Sequence, residues 1–408
     1  MSLASQLADR ARSATQLSRS TVGKVGIAIE GVAGTAAAYV SQLARMVSDR
    51  GAVAEHDPAT AEYAKVFGQA EQEIGRINVL VAGNTRVGKS TLVNAIFGED
   101  VAAVSTGLPV TQTLTLHEAP NSPLNLWDSR GFEAGDGEAV NAVEHKLAEM
   151  RSASETSAQI HVPWLCISSE AKRVEPVHLV FLRRMAERRI PTIVVWTQTY
   201  ESLDHSVRAL AQPAAASVEL LAADRPSFGR QAFNLDKLVE ETDRVLPEAR
   251  KAAFAAAQKV QVALKKTEAN PIVMGAVAAA GASAVVPLSS VCLAPLQVAM
   301  LAKIDALFGR ALFSRRAHAV AALSEVATAQ AGRWVLGSAL GESLKASGVA
   351  YPAGVAINAA IGASVTGALG FAYVEALARS ANSGIDPPIE QIVKALTAAV
   401  RQVGARQD

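Results

Sequence analysis

The sequence predicts an α/β fold: a mostly parallel sheet flanked by helices, with N-terminal helices before it and an all-α domain after it. Three observations carry this. Short β-branched runs alternate with polar helical stretches from residue 77 to about 245, the pattern of strands joined by crossover helices. A glycine-rich loop joins the first run to a helix. Beyond about residue 250 the texture turns to alanine, glycine and valine. Two stretches there carry no charge, Ala269 to Ala302 and Ala346 to Val374. The chain divides into an N-terminal helical region (1–70), the sheet domain (71–248) and an alanine-rich helical domain (249–408).

Each element follows from its residues. Ala59 to Arg76 reads as a helix leading directly into the first strand, Ile77–Ala82. Thr91 to Phe97 reads as the helix after the loop. Gly107-Leu108-Pro109-Val110-Thr111-Gln112-Thr113 reads as a polar loop feeding the strand Leu114–Glu118. Further strands are Leu124–Trp127, Pro163–Ile167, Thr192–Trp196 and Val218–Leu221. In the last third, an uncharged stretch, a basic connector (Arg310, Arg315, Arg316) and a second uncharged stretch read as two helical hairpins. Pro287 and Pro295 interrupt the first stretch.

The loop Gly83-Asn84-Thr85-Arg86-Val87-Gly88-Lys89-Ser90-Thr91 fits the phosphate-binding pattern G-x-x-x-x-G-K-[ST]. Its strand–loop–helix setting is what that pattern needs. Two glycines let the backbone wrap closely around phosphate oxygens. Successive N–H groups and the helix N-terminus then face the anion. Lys89 supplies a charge for the β- and γ-phosphates, and Ser90 a hydroxyl for Mg2+. Downstream, Asp128 ends a strand, where it can hold the Mg2+ shell, and the N–H of Gly131 can meet the γ-phosphate. Thr111 can ligate Mg2+ and sense the γ-phosphate; Thr113 is the alternative.

Composition excludes other classes. A net charge of +1 gives no sign of nucleic-acid binding. Cys166 and Cys292 lie far apart without metal-ligand spacing, which fits a reducing, cytoplasmic compartment and buried thiols. Cys166 reads as a core residue of its strand. His161 and His205 have no metal or nucleophile nearby in sequence. Glu133 and Asp136 read as carboxylates of a mobile loop.

GNTRVGKSTLVNAIFG, GLPVT and WDSRGFE together resemble the Era-like branch of translation-factor-class GTPases. The C-terminal half is similar to an alanine-rich domain of unknown function shared with YcjF-type membrane proteins. The stretches Phe254 to Val260 and Leu296 to Leu301 carry that likeness. The resemblance implies binding of GTP and GDP, Mg2+ dependence, slow hydrolysis and a membrane-linked role, in the cytoplasm and associated with the inner membrane. By position it sets Thr197 and Gln198 against the base.

Three departures qualify it. The base-reading [NT]-K-x-D pattern is replaced by Thr197-Gln198-Thr199-Tyr200. The carboxylate that pairs with guanine is missing, so discrimination against adenine should fall and ATP stays open. Leu221-Ala222-Ala223-Asp224 is a weak candidate for a second base-reading loop. Phe132 stands where many relatives orient water with glutamine, so it has no catalytic part. Arg86 occupies a place where guanylate-binding proteins carry arginine. The resemblance implies a finger acting in cis once two nucleotide domains form a homodimer; a solvated loop arginine is the alternative.

The uncharged stretches leave the membrane open. Val349 to Tyr373 is long enough to span. Ala359, Ala363 and Gly367 have the small-residue spacing of close helix pairs, in lipid or in a soluble bundle.

Overall fold

The computed structural model describes residues 58–98, 108–111, 114–118, 122–129, 132, 137–152, 159–212, 214–225, 229–283, 289–309 and 351–383. Helix α1 (Pro58–Ile74) leads into β1 (Ile77–Gly83), and the phosphate-binding loop leads into α2 (Lys89–Phe97). Then come β2 (Leu108–Thr111), β3 (Leu114–Glu118), β4 (Leu124–Ser129), α3 (Gly137–Ser152), β5 (Val162–Ser168), α4 (Pro176–Glu187) and β6 (Ile193–Thr197). A short α5 (His205–Ala209), β7 (Ala216–Glu219), α6 (Leu235–Val245) and α7 (Glu248–Ala257) follow. The last described helices are α8 (Val262–Ser283), α9 (Ser289–Leu307) and α10 (Tyr351–Ser383).

The strands form one sheet in the order β2-β3-β4-β1-β5-β6-β7. From β4 to β7 all pairs are parallel; β3 pairs antiparallel with both β2 and β4. Strand β1 is buried throughout, so its sequence is a continuous apolar run rather than an alternating one. Ile77, Val79 and Val81 face a core built with α2, α6 and α7. Leu80 and Ala82 face a second core built with α3 and α4.

Two strand expectations are corrected. Leu108–Thr111, expected as loop, is a strand at the sheet edge, with a register shift between Pro109 and Thr111. An edge position tolerates the missing N–H of Pro109. The last strand begins earlier than expected and stops at Glu219, because Leu221 leaves the ladder to bridge Phe233.

The remaining helices form a bundle. Helix α10 lies along α8 and α9, and α1 packs on α9. Tyr63 (2.7 Å) and Tyr373 (2.8 Å) both donate to Oδ2 of Asp305, which is 1% exposed. Three helices therefore meet on one buried carboxylate, and buried charges need such partners. The ion pair Lys303–Glu73 adds a second tie from α9 to α1. Helix α1, the described part of the first region, thus packs in space with the last third of the chain.

The uncharged stretches also differ from expectation. Pro271 and Pro295 lie inside α8 and α9 without ending them. Pro271 and Thr267, four residues earlier, are both exposed, so the backbone hydrogen bond that the ring removes lies on the solvent side of the helix. From Tyr351 the second stretch is one continuous helix, α10, and the residues before it that a second hairpin would need lie outside the described residues. Its glycines allow close contact: a methyl on Gly370 would stand 2.8 Å from Val273. Pro287, Arg310, Arg315 and Arg316 lie outside the described residues.

Helix α7 joins bundle and sheet. Ala255 and Ala256 belong to the bundle core, while Ala253, Phe254 and Ala257 belong to the α2 face of the sheet. Just beyond α7, Lys259 N–H donates to Ile96 O at the end of α2 (2.8 Å).

Candidate nucleotide site

Strand β1 delivers the loop between β4 and β5, with Val81 opposite Asp128 and Gly83 opposite Cys166. Gly83 is obligatory: a methyl there would lie 2.1 Å from the Cys166 carbonyl. Gly88 takes the left-handed φ of 91° at the start of α2. Arg86 is also left-handed (φ 65°) and exposed, a conformation that costs a non-glycine residue about 1 kcal/mol or more. Lys89 Nζ donates to the carbonyls of Gly83 (2.9 Å) and Asn84 (3.0 Å), which holds the ammonium against the loop. Ser90 and Thr91 are exposed in the first turn of α2, and Thr85 is exposed at the loop tip.

The loop is pinned from behind. Thr197 Oγ1 donates to Val87 O (2.5 Å) and lies 3.3 Å from Ile167 O. Gln198 Nε2 donates to Arg86 O (3.2 Å), while its Oε1 accepts from Ser168 Oγ (2.7 Å). Thr197 and Gln198, expected against the base, are thus both engaged with the loop and β5. Thr197 is 2% exposed, and both side chains spend their polar atoms on the loop and on β5. Ser168 has no sequence signal beyond ending a strand.

Asp128 sits at the carboxyl end of β4. Its Oδ1 is buried with no hydrogen-bond partner among the described residues. Burial pushes its pKa up, while Lys89 and His117 pull it down. An orphaned carboxylate oxygen close to the phosphate loop fits a divalent cation, which would stabilise the ionised form. Thr111 ends β2, and its side chain lies outside the described residues, as do Gly131, Thr113, Glu133 and Asp136.

Phe132 is fully buried. Its N–H donates to Gly83 O (3.2 Å), and its ring lies 5.6 Å from Phe181 and 6.4 Å from His178. It is therefore turned away from solvent and toward α4. Sequence reasoning missed a second contact from α4: Asn84 bonds both Glu175 and His178. The only signal was Glu175-Pro176 opening a helix.

The base-side candidates are weak. Asp224 accepts the Ala232 N–H (2.8 Å) within its own loop. Tyr200 stands where a guanine-reading carboxylate is absent, on the wall of a cleft of about 470 Å³ shared with Arg230, Phe233 and Lys237. Cys166 is buried and its thiol is pushed up to about 12, so it is an inert core residue. His161 accepts the Asn78 N–H through Nδ1 (2.9 Å) at the opposite end of the sheet.

Residues 78–198 match the family described as 50S ribosome-binding GTPase. Translocase of chloroplast 34 from Arabidopsis thaliana is 31% identical over 105 residues, 24% of this chain. The chain spans about a third (34%) of that relative's length. Among solved structures, a dimerisation-deficient mutant of Toc33 from Arabidopsis thaliana is 19% identical with a TM-score of 0.30, covering 46% of this chain and 93% of that one. Toc33 in complex with GDP and Mg2+ is 20% identical with a TM-score of 0.27, covering 41% and 80%. Over residues 78–198, then, this chain carries a G domain of the GTPase kind, and its helical bundle lies outside the matched segment.

Proposed function

We propose that this chain is a Mg2+-dependent GTP-binding protein that hydrolyses GTP slowly and acts as a nucleotide-state switch on its helical domain. The observation that carries it is the loop from Gly83 to Ser90, with Lys89 held against it and the orphaned Asp128 oxygen. The loop N–H groups from Thr85 to Thr91 orient the phosphates, and the positive end of α2 favours them. Lys89 exchanges carbonyl partners for phosphate oxygens. Bound Mg2+ supplies charge neutralisation across the β- and γ-phosphates. Ser90, Thr111 and Asp128 would hold it. The Gly131 N–H would meet the γ-phosphate, and Thr111 would close over it. Phe132, buried and apolar, orients no water, which accounts for slow turnover. Titration calorimetry with GTP, GDP and ATP, each with Mg2+, tests this. Guanine nucleotides should bind, with ATP weaker by a small margin because Tyr200 replaces a carboxylate. No binding, or tighter ATP, overturns it.

A second reading is a membrane-organising GTPase activated when two nucleotide domains pair. Arg86 favours it, being exposed and held left-handed with its carbonyl pinned by Gln198. An arginine acting on transition-state charge is worth about 10³–10⁵-fold in rate. Arg86→Ala should abolish any acceleration that appears at high protein concentration; unchanged turnover there removes the finger.

The membrane part of the proposal rests on α8 and α10. Their uncharged halves expose Met274 (55%) and Phe371 (45%). Among the described residues, one helix segment, Asn358–Ala381, is long and apolar enough to cross a membrane, and 47% of it is buried in the bundle. We read the protein as cytoplasmic and associated with the inner membrane surface, with a C-terminal domain of the kind shared with YcjF-type proteins and a nucleotide domain of the Era-like branch. Flotation with liposomes should carry the protein upward; retention in the soluble fraction without detergent removes this part.

A further inference from the structure

We propose that His178 is a positioning residue that ties the seat of Phe132 to the entry of the phosphate loop, so that one imidazole serves both nucleotide grip and recognition of the third phosphate. The inference rests on the nucleotide reading above and concerns the regulation of that site.

The hydrogen bonds fix the imidazole's tautomer. The Glu175 backbone N–H points at His178 Nδ1 (3.2 Å), so Nδ1 is an acceptor. Nε2 therefore carries the hydrogen and donates to Asn84 Oδ1 (2.7 Å). The same amide donates from Nδ2 to Glu175 Oε2 (3.2 Å). Asn84 is thus held at both ends by the first turn of α4. The loop carbonyls of Arg86 and Val87 are held separately, by Gln198 and Thr197. Asn84 and Gly83 are the two residues whose carbonyls hold Lys89. Orienting Asn84 therefore orients the acceptors that park the ammonium.

The other side of the imidazole faces Phe132. Its ring packs between His178 and Phe181, and its own N–H rests on Gly83 O. Phe132 directly follows Gly131, whose N–H is read as the γ-phosphate contact. Seating Phe132 on α4 holds the residue just after Gly131 on Gly83 O, at the start of the loop. His178 contributes to the seat by its ring and to the loop by its Nε2 hydrogen. These two contributions can be separated chemically.

The experiment compares His178→Gln, His178→Phe and Asn84→Ala in the full chain, using GDP and a non-hydrolysable GTP analogue with Mg2+. His178→Gln keeps an amide donor for Asn84 but removes the ring. Its GDP affinity should stay within about twofold, while affinity for the analogue falls about five- to tenfold, the loss of one aromatic contact. His178→Phe keeps a ring under Phe132 but removes the donor. Both nucleotides should then weaken together by about tenfold, one hydrogen bond's worth with a polar group left unpaired. Combining it with Asn84→Ala should cost no more than either alone. Thermal unfolding of each variant guards against a general loss of fold. Equal weakening of both nucleotides in His178→Gln, or none in His178→Phe, overturns the inference while leaving the nucleotide site standing. A wild-type protein that binds neither nucleotide overturns both.

Discussion

On one face of the sheet, α2, α6 and α7 cover Ile77, Val79 and Val81; on the other, α3 and α4 cover Leu80, Ala82 and Phe132. Both faces bury large aromatic residues, Trp164 and Phe254 on the first, Trp196 and Phe181 on the second. They differ in what lies beyond them. The first face continues through α7 into the helical bundle, whereas no described residue of the second core comes from the bundle helices. The unit β1–loop–α2 is fastened at both ends to the bundle side. Helix α1, tied to Asp305, runs into its start, and Lys259 holds its end at Ile96. Among the described residues, the phosphate-binding unit is thus a direct link between the surroundings of Phe132 and the bundle, which makes the bundle well placed to act on nucleotide grip.

The largest test compares one aromatic truncation on each face. Phe254→Ala and Phe181→Ala each remove a fully buried ring and should cost about 3–5 kcal/mol. Their reach should differ. Hydrogen exchange in Phe254→Ala should speed up in β1, α2 and the bundle helices α8 to α10 together. In Phe181→Ala it should speed up in α3 and α4 and leave α8 to α10 protected. Equal loosening of the bundle by Phe181→Ala would erase the distinction between the faces.

Next in size is Lys89→Ala. The lysine's loop partners are two backbone carbonyls, so truncation removes an ammonium without breaking either core. Affinity for GDP with Mg2+ should fall about 100-fold, near 3 kcal/mol, the range of a charge-assisted contact. Exchange in α8 to α10 should not change. Calorimetry and exchange on the same sample separate loss of grip from loss of fold.

The loop was legible because its requirement is local. Gly83, Gly88, Lys89 and Ser90 are adjacent in sequence, and the geometry that demands them is made by the same few residues. The central strands were legible because burial on both faces leaves an uninterrupted apolar run. Leu108–Thr111 was not, since a short edge strand with a proline carries little apolar signal. Thr197 and Gln198 were recognisable by position, but their hold on the loop was not, since it depends on carbonyls about 110 residues away. Asp305 is further still: a carboxylate in an apolar helix reads as surface until tyrosines from Tyr63, 242 residues earlier, and Tyr373 close on it. Sequence patterns report which faces are buried, and say little about which distant polar group completes a buried one.

Acid should act at the seam between sheet and α7. His161 is lowered from 6.5 to about 4, first by burial and then by Arg250, and the Asn78 N–H that its Nδ1 accepts holds the neutral form. Between those values the unfolded chain binds the proton and the folded chain does not. Stability is therefore full above about pH 6.5, falls as pH drops toward 4, and changes no further from this group below that. The shift sets a ceiling of about 3 kcal/mol, and partial exposure brings the expected loss nearer 2. His161→Asn, which keeps an acceptor near the Asn78 N–H, should flatten denaturant midpoints across this window. A wild-type midpoint that does not move between pH 7 and 4.5 contradicts the assignment.

The smallest effect asks whether the joined face also sets the loop through Gln198. This side chain stands where related sites carry lysine, and its φ of 54° is itself left-handed. It donates to Arg86 O and accepts from Ser168, so Gln198→Ala removes one strut and leaves the serine hydroxyl without it. Nucleotide affinity should fall about fivefold, near 1 kcal/mol. The ratio of GTP to ATP affinity should stay constant, because the amide is spent on the loop. Gln198→Lys should recover most of the loss, since an ammonium can still donate to the Arg86 carbonyl although it cannot accept from Ser168. A shifted GTP to ATP ratio in Gln198→Ala would instead place the amide on the base, the role that its position in the sequence leads one to expect.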